Sequence, residues 1–306
     1  MILDDIVARR RVDVAALKQA RPLSTVAAGL TPSGCSLAAA LRRPHAGLIL
    51  ECKAASPSQG ILRSAYDPAE VARGYCGVAD AISVLAEEHW FGGSLEDVAL
   101  VRAAVDVPVL CKDFVVDPWQ VFAARAQGAD AILLMASVLD DAGLVAGLQA
   151  CQEAGMEALV EVHDEGELER IRPLRPALIG INSRNLRTLQ VDLDVVERLA
   201  PRCPAGAIVV AESGIHGHAD LRRLRDRVDA FLIGTALTRA PHPGVAAREV
   251  AYGRVKVCGL TTASAARSAA AAGASLGGLV FAPESPRRVS VSQAVAVQRG
   301  APELGW

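Results

Sequence analysis

Glu51 and Lys53 stand two residues apart at the end of an apolar run, 47-GLILECK-53, and a Ser/Pro/Gly loop follows them. Alternate side chains of an extended strand share a face, so this carboxylate and this ammonium point the same way. Burying two opposite charges at a strand end costs several kcal/mol per ion unless they pair or meet a charged ligand. A structural ion pair would meet that requirement for one strand. The pattern recurs, however, at the ends of later apolar runs: Glu87 and Glu88; Lys112, Asp113 and Phe114; Ser137; Glu161 and His163; Asn182 and Arg184; Glu212 and Ser213; Gly234 and Thr235. Ammonium and carboxylate groups gathered at one end of otherwise apolar strands are the means of general acid–base chemistry. So many buried charges would overwhelm a margin of roughly 5–15 kcal/mol if they served only the fold.

Two stretches point to the substrate. 212-ESGI-215 and 233-IGTAL-237 place small residues where a strand turns into a loop. Small residues there leave backbone N–H groups free, and a short helix N-terminus can complete an anion cradle. A phosphorylated small molecule is therefore expected, with Ser56 adding a hydroxyl from the first loop. Tight turns that need glycine for packing are the alternative.

These residues need elements to hold them. Strand-length apolar runs occur at 47-GLILECK-53, 81-AISVLAEE-88, 107-VPVLCKDF-114, 131-AILLMASV-138, 157-EALVEVHD-164, 178-LIGINSRN-185, 208-IVVAESG-214 and 230-AFLIGTAL-237. Their starts lie roughly 21 to 34 residues apart, room for a strand, a helix and two loops. Helix starts are marked by Asp67-Pro68, Asp117-Pro118 and Asp140-Asp141, and by Ser94 with Asp97 in capping-box spacing. Apolar strands alternating with helices give a parallel sheet covered on both faces. An open doubly wound sheet and a closed barrel both satisfy this. The count of eight, and the lack of a G-x-G-x-x-G turn after the first strand, favour a (β/α)8 TIM barrel over residues 47–250.

Residues 1–46 read as a helical extension, with apolar Ile6, Val7, Val14 and Leu17 at helical spacing and a short second helix in 37-LAAALRRP-44. Beyond residue 250 the rhythm restarts: 255-VKVCGLT-261, 262-TASAARSAAAAGA-274 and 276-LGGLVF-281 make an incomplete second β/α segment over 251–306. About 50 residues cannot close an eight-stranded barrel, so this segment is expected to be truncated, docked on the barrel or partly disordered. Left open, Leu276, Leu279, Val280 and Phe281 would form an unprotected sheet edge, which leaves self-association open and the chain a monomer or a weak homo-oligomer.

Composition narrows the class. Of 306 residues 51% are hydrophobic, and the net charge of −2 offers no bulk attraction for nucleic acid or an anionic membrane. Mean hydropathy is +0.28, yet no run approaches the roughly 18 apolar residues of a spanning helix. Acidic Asp4 and Asp5 come too early for a signal peptide. Seven scattered cysteines, an odd number without a C-x-x-C pair, suit reduced thiols in a cytoplasmic protein. His216 and His218 cluster without further ligands, and no metal is expected.

The motifs 50-LECKAASPSQG-60, 83-SVLAEEHWFGGS-94, 109-VLCKDFVVDPWQ-120, 180-GINSRNL-186 and 211-AESGI-215 resemble the indole-3-glycerol-phosphate synthase family of tryptophan biosynthesis, in order and spacing. The tail's 256-KVCGLT-261 and 280-VFAPESPRRVS-290 resemble the opening of phosphoribosylanthranilate isomerase, which follows the synthase in bifunctional enzymes of the family. The resemblance implies ring closure, decarboxylation and dehydration of 1-(2-carboxyphenylamino)-1-deoxyribulose 5-phosphate, without metal or cofactor. It implies Lys112 as general acid and Glu161 as general base, with Lys53 paired to Glu51 beside the reacting groups, in an electrostatic role or as the acid itself. Asn182 and Glu212 would make polar contacts to the sugar and reacting centre. Phe91 and Phe114 would line the anthranilate pocket, and Arg184 would brace neighbouring carboxylates. Ser56, Ser213, Gly214, Gly234 and Thr235 match phosphate contacts.

Two lysines in one pocket repel, which is expected to lower at least one pKa. The chain departs from the family at Ala54 and Gln59, where Lys is frequent, and at Ala86, where Thr is; weaker steering of a phosphate ester is expected from these. In the tail Cys258 matches the isomerase's general base and Arg287 a substrate-binding arginine. The matching acid falls beyond Trp306, so no isomerase activity is expected from this chain alone. An aldolase using Lys53 or Lys112 as a Schiff-base nucleophile, and a non-catalytic binding protein, are the competing classes.

Overall fold

The eight apolar runs form parallel strands that close on themselves in a computed structural model, which describes residues 2–306 apart from Ser58, Ser64 and Arg187. Ser58, inside the motif that follows the first strand, thus lies outside the described residues. The strands are β1 (Gly47–Cys52), β2 (Ala81–Leu85), β3 (Val109–Lys112), β4 (Ala131–Met135), β5 (Glu157–Val162), β6 (Leu178–Asn182), β7 (Ile208–Glu212) and β8 (Ala230–Ile233). Closure is carried by β1, which pairs with β2 (Ile49↔Ala81) and with β8 (Gly47↔Ala230). The chain is a (β/α)8 barrel.

Strand alternation decides what faces the centre. Leu48, Leu50 and Cys52 join the layer between strands and helices, whereas Ile49 joins the interior and Glu51 and Lys53 follow it on the same side. Likewise Val160 and Val162 point outward while Leu159 points in ahead of Glu161. Apolar interior residues such as Leu110, Leu133, Val210 and Leu232 fill the barrel, and β3, β6 and β7 end in the polar Lys112, Asn182 and Glu212.

The strands end earlier than the apolar runs suggest. β2 stops at Leu85 because the Glu87 carboxylate takes the backbone N–H groups of His89, Trp90 and Phe91 at 2.9, 2.8 and 3.1 Å, turning the chain. Ser94 and Asp97 then form the expected capping box, and Asp67 and Asp140 cap their helices. Asp117 differs: its carboxylate accepts from Trp119 N at 2.8 Å, and the helix Trp119–Ala126 has Pro118 rather than Asp117 in the capping position.

The extension does more than precede the barrel. Helix α1 (Ile2–Ala20) crosses the C-terminal rim, and its Ile2, Leu3 and Ile6 reach the central cavity. A short helix Leu37–Leu41 closes the opposite end, where Leu41 packs so tightly on Gly47 that a β-carbon there would lie 2.6 Å from its side chain. Arg10 holds α1 down. Its guanidinium is buried against Asp113, which follows β3, and Gln120 Nε2 donates to the same carboxylate oxygen at 2.9 Å. Truncating one member of a buried pair strands the other charge. Arg10→Ala is therefore expected to destabilise the fold by about 3–5 kcal/mol, read as a lower urea midpoint.

The tail contributes two further parallel strands, β9 (Lys256–Cys258) and β10 (Leu276–Gly278), and helices Ala263–Ala271 and Val291–Gly300 around a small core of Leu260, Ala266, Val297 and Leu304. It docks on the barrel's last helix, Pro243–Tyr252. Arg248 donates to the Ala270 carbonyl at 2.7 Å, and Gly273 leaves room for the Tyr252 ring. The expected open edge is partly corrected. Leu276 is bridged by Gly305 and the Trp306 ring lies on Gly277, so the chain's last residues cover one side of β10, while Phe281 stays exposed. No described helix is long and apolar enough to cross a membrane.

Candidate active site

The last inward side chains of the strands meet in one cavity at the C-terminal rim. Glu51, Lys53, Ser56, Phe91, Lys112, Phe114, Glu161, Asn182, Arg184, Ser213, Gly214, Gly234 and Thr235 all line it. Glu212 lies beneath, fully buried under Lys112.

Lys112 is the hub. Its Nζ lies 3.0 Å from Glu212 Oε2 and 3.5 Å from Glu51 Oε2. Lys53 Nζ lies 2.5 Å from the other Glu51 oxygen and donates to Thr235 Oγ1 at 3.1 Å. Two interior glycines make room for these heads. A β-carbon on Gly180 would sit 2.0 Å from Glu212 Oε1, and one on Gly234 would sit 2.0 Å from Glu51 Oε1 and 2.9 Å from Lys53 Nζ. Gly234 thus admits the Glu51–Lys53 pair as well as opening the loop before Thr235. Gly234→Ala is expected to push both heads aside by a fraction of an ångström or more. A kcat/KM loss of about 10²-fold should follow with little change in the urea midpoint, since displacements of that order cost rate rather than fold.

The charges do not cancel. Glu51, Glu161 and Glu212 face two ammonium groups, a surplus of one negative charge. Burial opposes the charge on Glu51, but Lys53 and Lys112 more than offset it and hold the carboxyl below its ordinary range. Glu212 goes the other way, pushed up to about 8 by burial and by neighbouring Glu161 in spite of Lys112. It is the carboxyl that keeps the surplus proton near neutrality. At Lys112 lysine–lysine repulsion does not prevail. Burial lowers its pKa, yet Glu212, Glu51 and Glu161 together raise it above the ordinary lysine value.

Glu161 is oriented from the side. Asn182 donates from Nδ2 to Glu161 Oε2 at 3.0 Å, and its own Oδ1 accepts from Arg184 N at 3.0 Å. Arg184 does not brace the carboxylates as expected. Its Nη1 turns to the Leu189 carbonyl at 3.0 Å, and among the described residues it has no ion pair within 4 Å. Residues 183–184 pair with 191–192, Asp192 N to Ser183 O and Arg184 bridged to Val191, and Leu186 and Leu189 lie at the cavity wall.

The remaining walls divide by chemistry. Phe91 and Phe114 stand 6.0 Å apart at an interplanar angle of 38°, an aromatic wall beside Lys112. Opposite lies the polar floor of the two small-residue loops. Ser213 and Gly214 both take left-handed backbone, φ 65° and 77°, fixed by Ser183 Oγ, which donates toward the Ser213 and Glu212 carbonyls at 2.9 Å. Left-handed serine costs of order 1–3 kcal/mol and persists where a site needs its N–H directed. Ser56 Oγ is buried in the cavity wall without a hydrogen-bond partner.

A model of the family described as "Indole-3-glycerol phosphate synthase" matches residues 3–250. The chain belongs to the indole-3-glycerol phosphate synthase family. The synthase is 46% identical over 246 residues to the indole-3-glycerol phosphate synthase of Mycobacteroides abscessus, covering 79% of this chain and 90% of that one. It is 43% identical over 301 residues to tryptophan biosynthesis protein TrpCF of Salmonella typhi, covering 98% of this chain and 67% of that one. With the TrpCF of Corynebacterium glutamicum it shares 44% identity over 307 residues, covering 100% of this chain and 65% of the relative. The chain thus spans about two thirds of the length of these TrpCF relatives. A crystal structure of 3-hexulose-6-phosphate synthase superposes with a TM-score of 0.53 at 18% identity over 68% of this chain and 99% of that one, a likeness of fold.

Several wall residues of the synthase have no signature in sequence. Ile6 reads only as part of the apolar side of an amphipathic helix, with nothing to say which surface it meets, and Ile2 and Leu3 precede that pattern. In the tail Cys258 and Arg287 do come together: Arg287 Nη1 donates to the Cys258 carbonyl at 3.1 Å, and its guanidinium packs on Gly259, whose φ is 79°.

Proposed function

We propose that the rim cavity closes the indole ring of indole-3-glycerol phosphate with Lys112 as general acid and Glu161 as general base. Indole-3-glycerol phosphate synthase activity, a carbon–carbon lyase step of tryptophan biosynthesis, follows from the family match over residues 3–250; the side-chain roles are the inference. The substrate is the phosphorylated carboxyphenylamino-deoxyribulose. Its aromatic ring suits the Phe91–Phe114 wall, and its phosphate suits Ser56, Ser213, Gly214, Gly234 and Thr235, where an unpartnered hydroxyl and left-handed backbone are on offer.

Between these anchors the reacting carbons fall over Lys112. A ring carbon attacks the ribulose carbonyl, and the oxygen gaining charge takes a proton from Lys112 Nζ. Carbon dioxide leaves with its bond pair returned to the ring system. Glu161 then takes the proton from the adjacent carbon, whose bond pair becomes the new ring double bond. The hydroxyl leaves as water with that proton, while Lys112 regains its own from solvent. Lys53 and Glu51 hold the opposite side of the cavity as a charged pair. Acid, base and orientation suffice for these steps.

The observation that carries the reading is the meeting of Lys53, Lys112, Glu161 and Asn182 in one cavity between an aromatic wall and a small-residue floor. Both lysines are engaged by carboxylates, and Lys112 is held protonated, which disfavours the neutral amine that a Schiff-base aldolase requires. Incubation with the carboxyphenylamino substrate should produce indole fluorescence, and borohydride added during turnover should trap no adduct. Absence of product, or a covalent lysine adduct, overturns the reading.

A further inference from the structure

His163 lies two residues past Glu161, half-buried, and its ring meets a carboxylate at each nitrogen. Nδ1 is 3.2 Å from Glu167 Oε2 on the following helix, Glu165–Ile171. Nε2 is 3.4 Å from Glu161 Oε1. These last two atoms are both buried and neither has a hydrogen-bond partner. The separation is ion-pair distance and slightly long for a hydrogen bond, as catalytic contacts often are before substrate binds. Glu167 is itself anchored, accepting from His163 N at 2.7 Å and placed by Asp164, which takes the Glu167 N–H at 2.8 Å.

The geometry points to His163 as a positioning residue that turns Glu161 toward the substrate and pairs with its charge, with Glu167 fixing the ring. A neutral imidazole has one N–H and can satisfy only one of its two carboxylates; the imidazolium satisfies both. Every titratable group facing the ring is a carboxylate: Glu167 from the helix, Glu161 from its own strand and Glu212 from β7. Burial lowers the His163 pKa, and the Glu167 hydrogen bond with these three charges more than restores it, so the net shift is upward. Asn182 clamps Glu161 Oε2 from one side, and His163 faces Oε1 from the other. This inference rests on Glu161 being the base, and the test separates the two.

The sign follows from the charge. An imidazolium beside Glu161 attracts the charge on the base, and removing it takes that contact away. In His163→Leu the acidic limb of the kcat–pH profile should move up by about 1 pH unit or more. At neutral pH kcat should fall about tenfold while KM stays within about twofold, the signature of a group acting on the transition state. Glu167→Gln should move the same limb in the same direction by a smaller amount. His163→Gln, which offers an uncharged N–H of similar reach, should recover much of kcat yet keep the displaced limb. Glu161→Gln measured alongside is the reference, and adding His163→Leu to it should cost nothing further. Should the leucine variant fail to fold, the two glutamine variants decide. Superimposable pH profiles for these variants and wild type, with Glu161→Gln inactive, overturn the role of His163 and leave the base standing. A Glu161→Gln variant of near-normal rate overturns both.

Discussion

Lys112→Ala is expected to lower kcat by about 10²–10⁴-fold, the range over which a positioned proton donor acts. The size follows from what surrounds the ammonium. It is mostly buried, 3.0 Å from Glu212 and 3.5 Å from Glu51, and its carboxyl neighbours raise its pKa above the ordinary lysine value. Lys53 shares the Glu51 carboxylate with it and donates to Thr235, so Lys53→Ala measured alongside separates the two ammonium groups. The fold should survive the change, because Glu212 already carries the surplus proton near neutrality and can hold it more firmly once the lysine is gone. KM should therefore change much less than kcat. Lys112→Arg sharpens the test: a guanidinium restores the positive charge but does not give up its proton at working pH, so it should rescue the urea midpoint and leave kcat low. Retention of kcat within about threefold by the alanine variant would reassign the acid.

How far the sequence anticipates this site depends on the range of the interactions involved. Strand ends are local: an apolar run with alternating faces that finishes in a polar residue puts Glu51, Lys53, Lys112, Glu161 and Asn182 in place once the barrel closes. What surrounds them is not local. Arg10 reads as one more polar residue of a surface helix, yet it is buried on Asp113, 103 residues away, because the rim needs a roof. Arg184 reads as a partner for carboxylates, but the left-handed turn at Leu189 places a carbonyl within reach first. Lysine–lysine repulsion predicted a lowered pKa. The outcome reverses because a third carboxylate, Glu212, enters from a strand 100 residues later, and only the folded ring shows that carboxylates outnumber lysines. Gly234 illustrates a residue legible for one reason and needed for another as well. Its small size opens a loop, and it also admits the Glu51 head, which no sequence pattern reveals.

Glu161→Gln is expected to lower kcat by about 10²–10⁴-fold, since the amide keeps the hydrogen-bonding shape and cannot take a proton. It should also change stability, in a direction that depends on pH. In the wild-type fold Glu212 titrates at about 8 rather than at its ordinary 4.5, raised by burial and by Glu161. Between those values the folded chain holds a proton that the unfolded chain has released. Stability therefore falls as pH rises from about 4.5 to about 8 and levels off above. Removing the Glu161 charge takes away one of the two causes, so the Glu212 pKa drops and that loss shrinks. The glutamine variant should accordingly gain on wild type as pH rises from 5 to 8, most clearly at the upper end. Urea melts of both proteins at pH 5, 6.5 and 8 read this directly. A stability difference that does not vary with pH would show that the two carboxyl groups are uncoupled. A loss of rate accompanied by a gain in stability at pH 8 would mark Glu161 as a charge that the fold tolerates for the sake of the reaction.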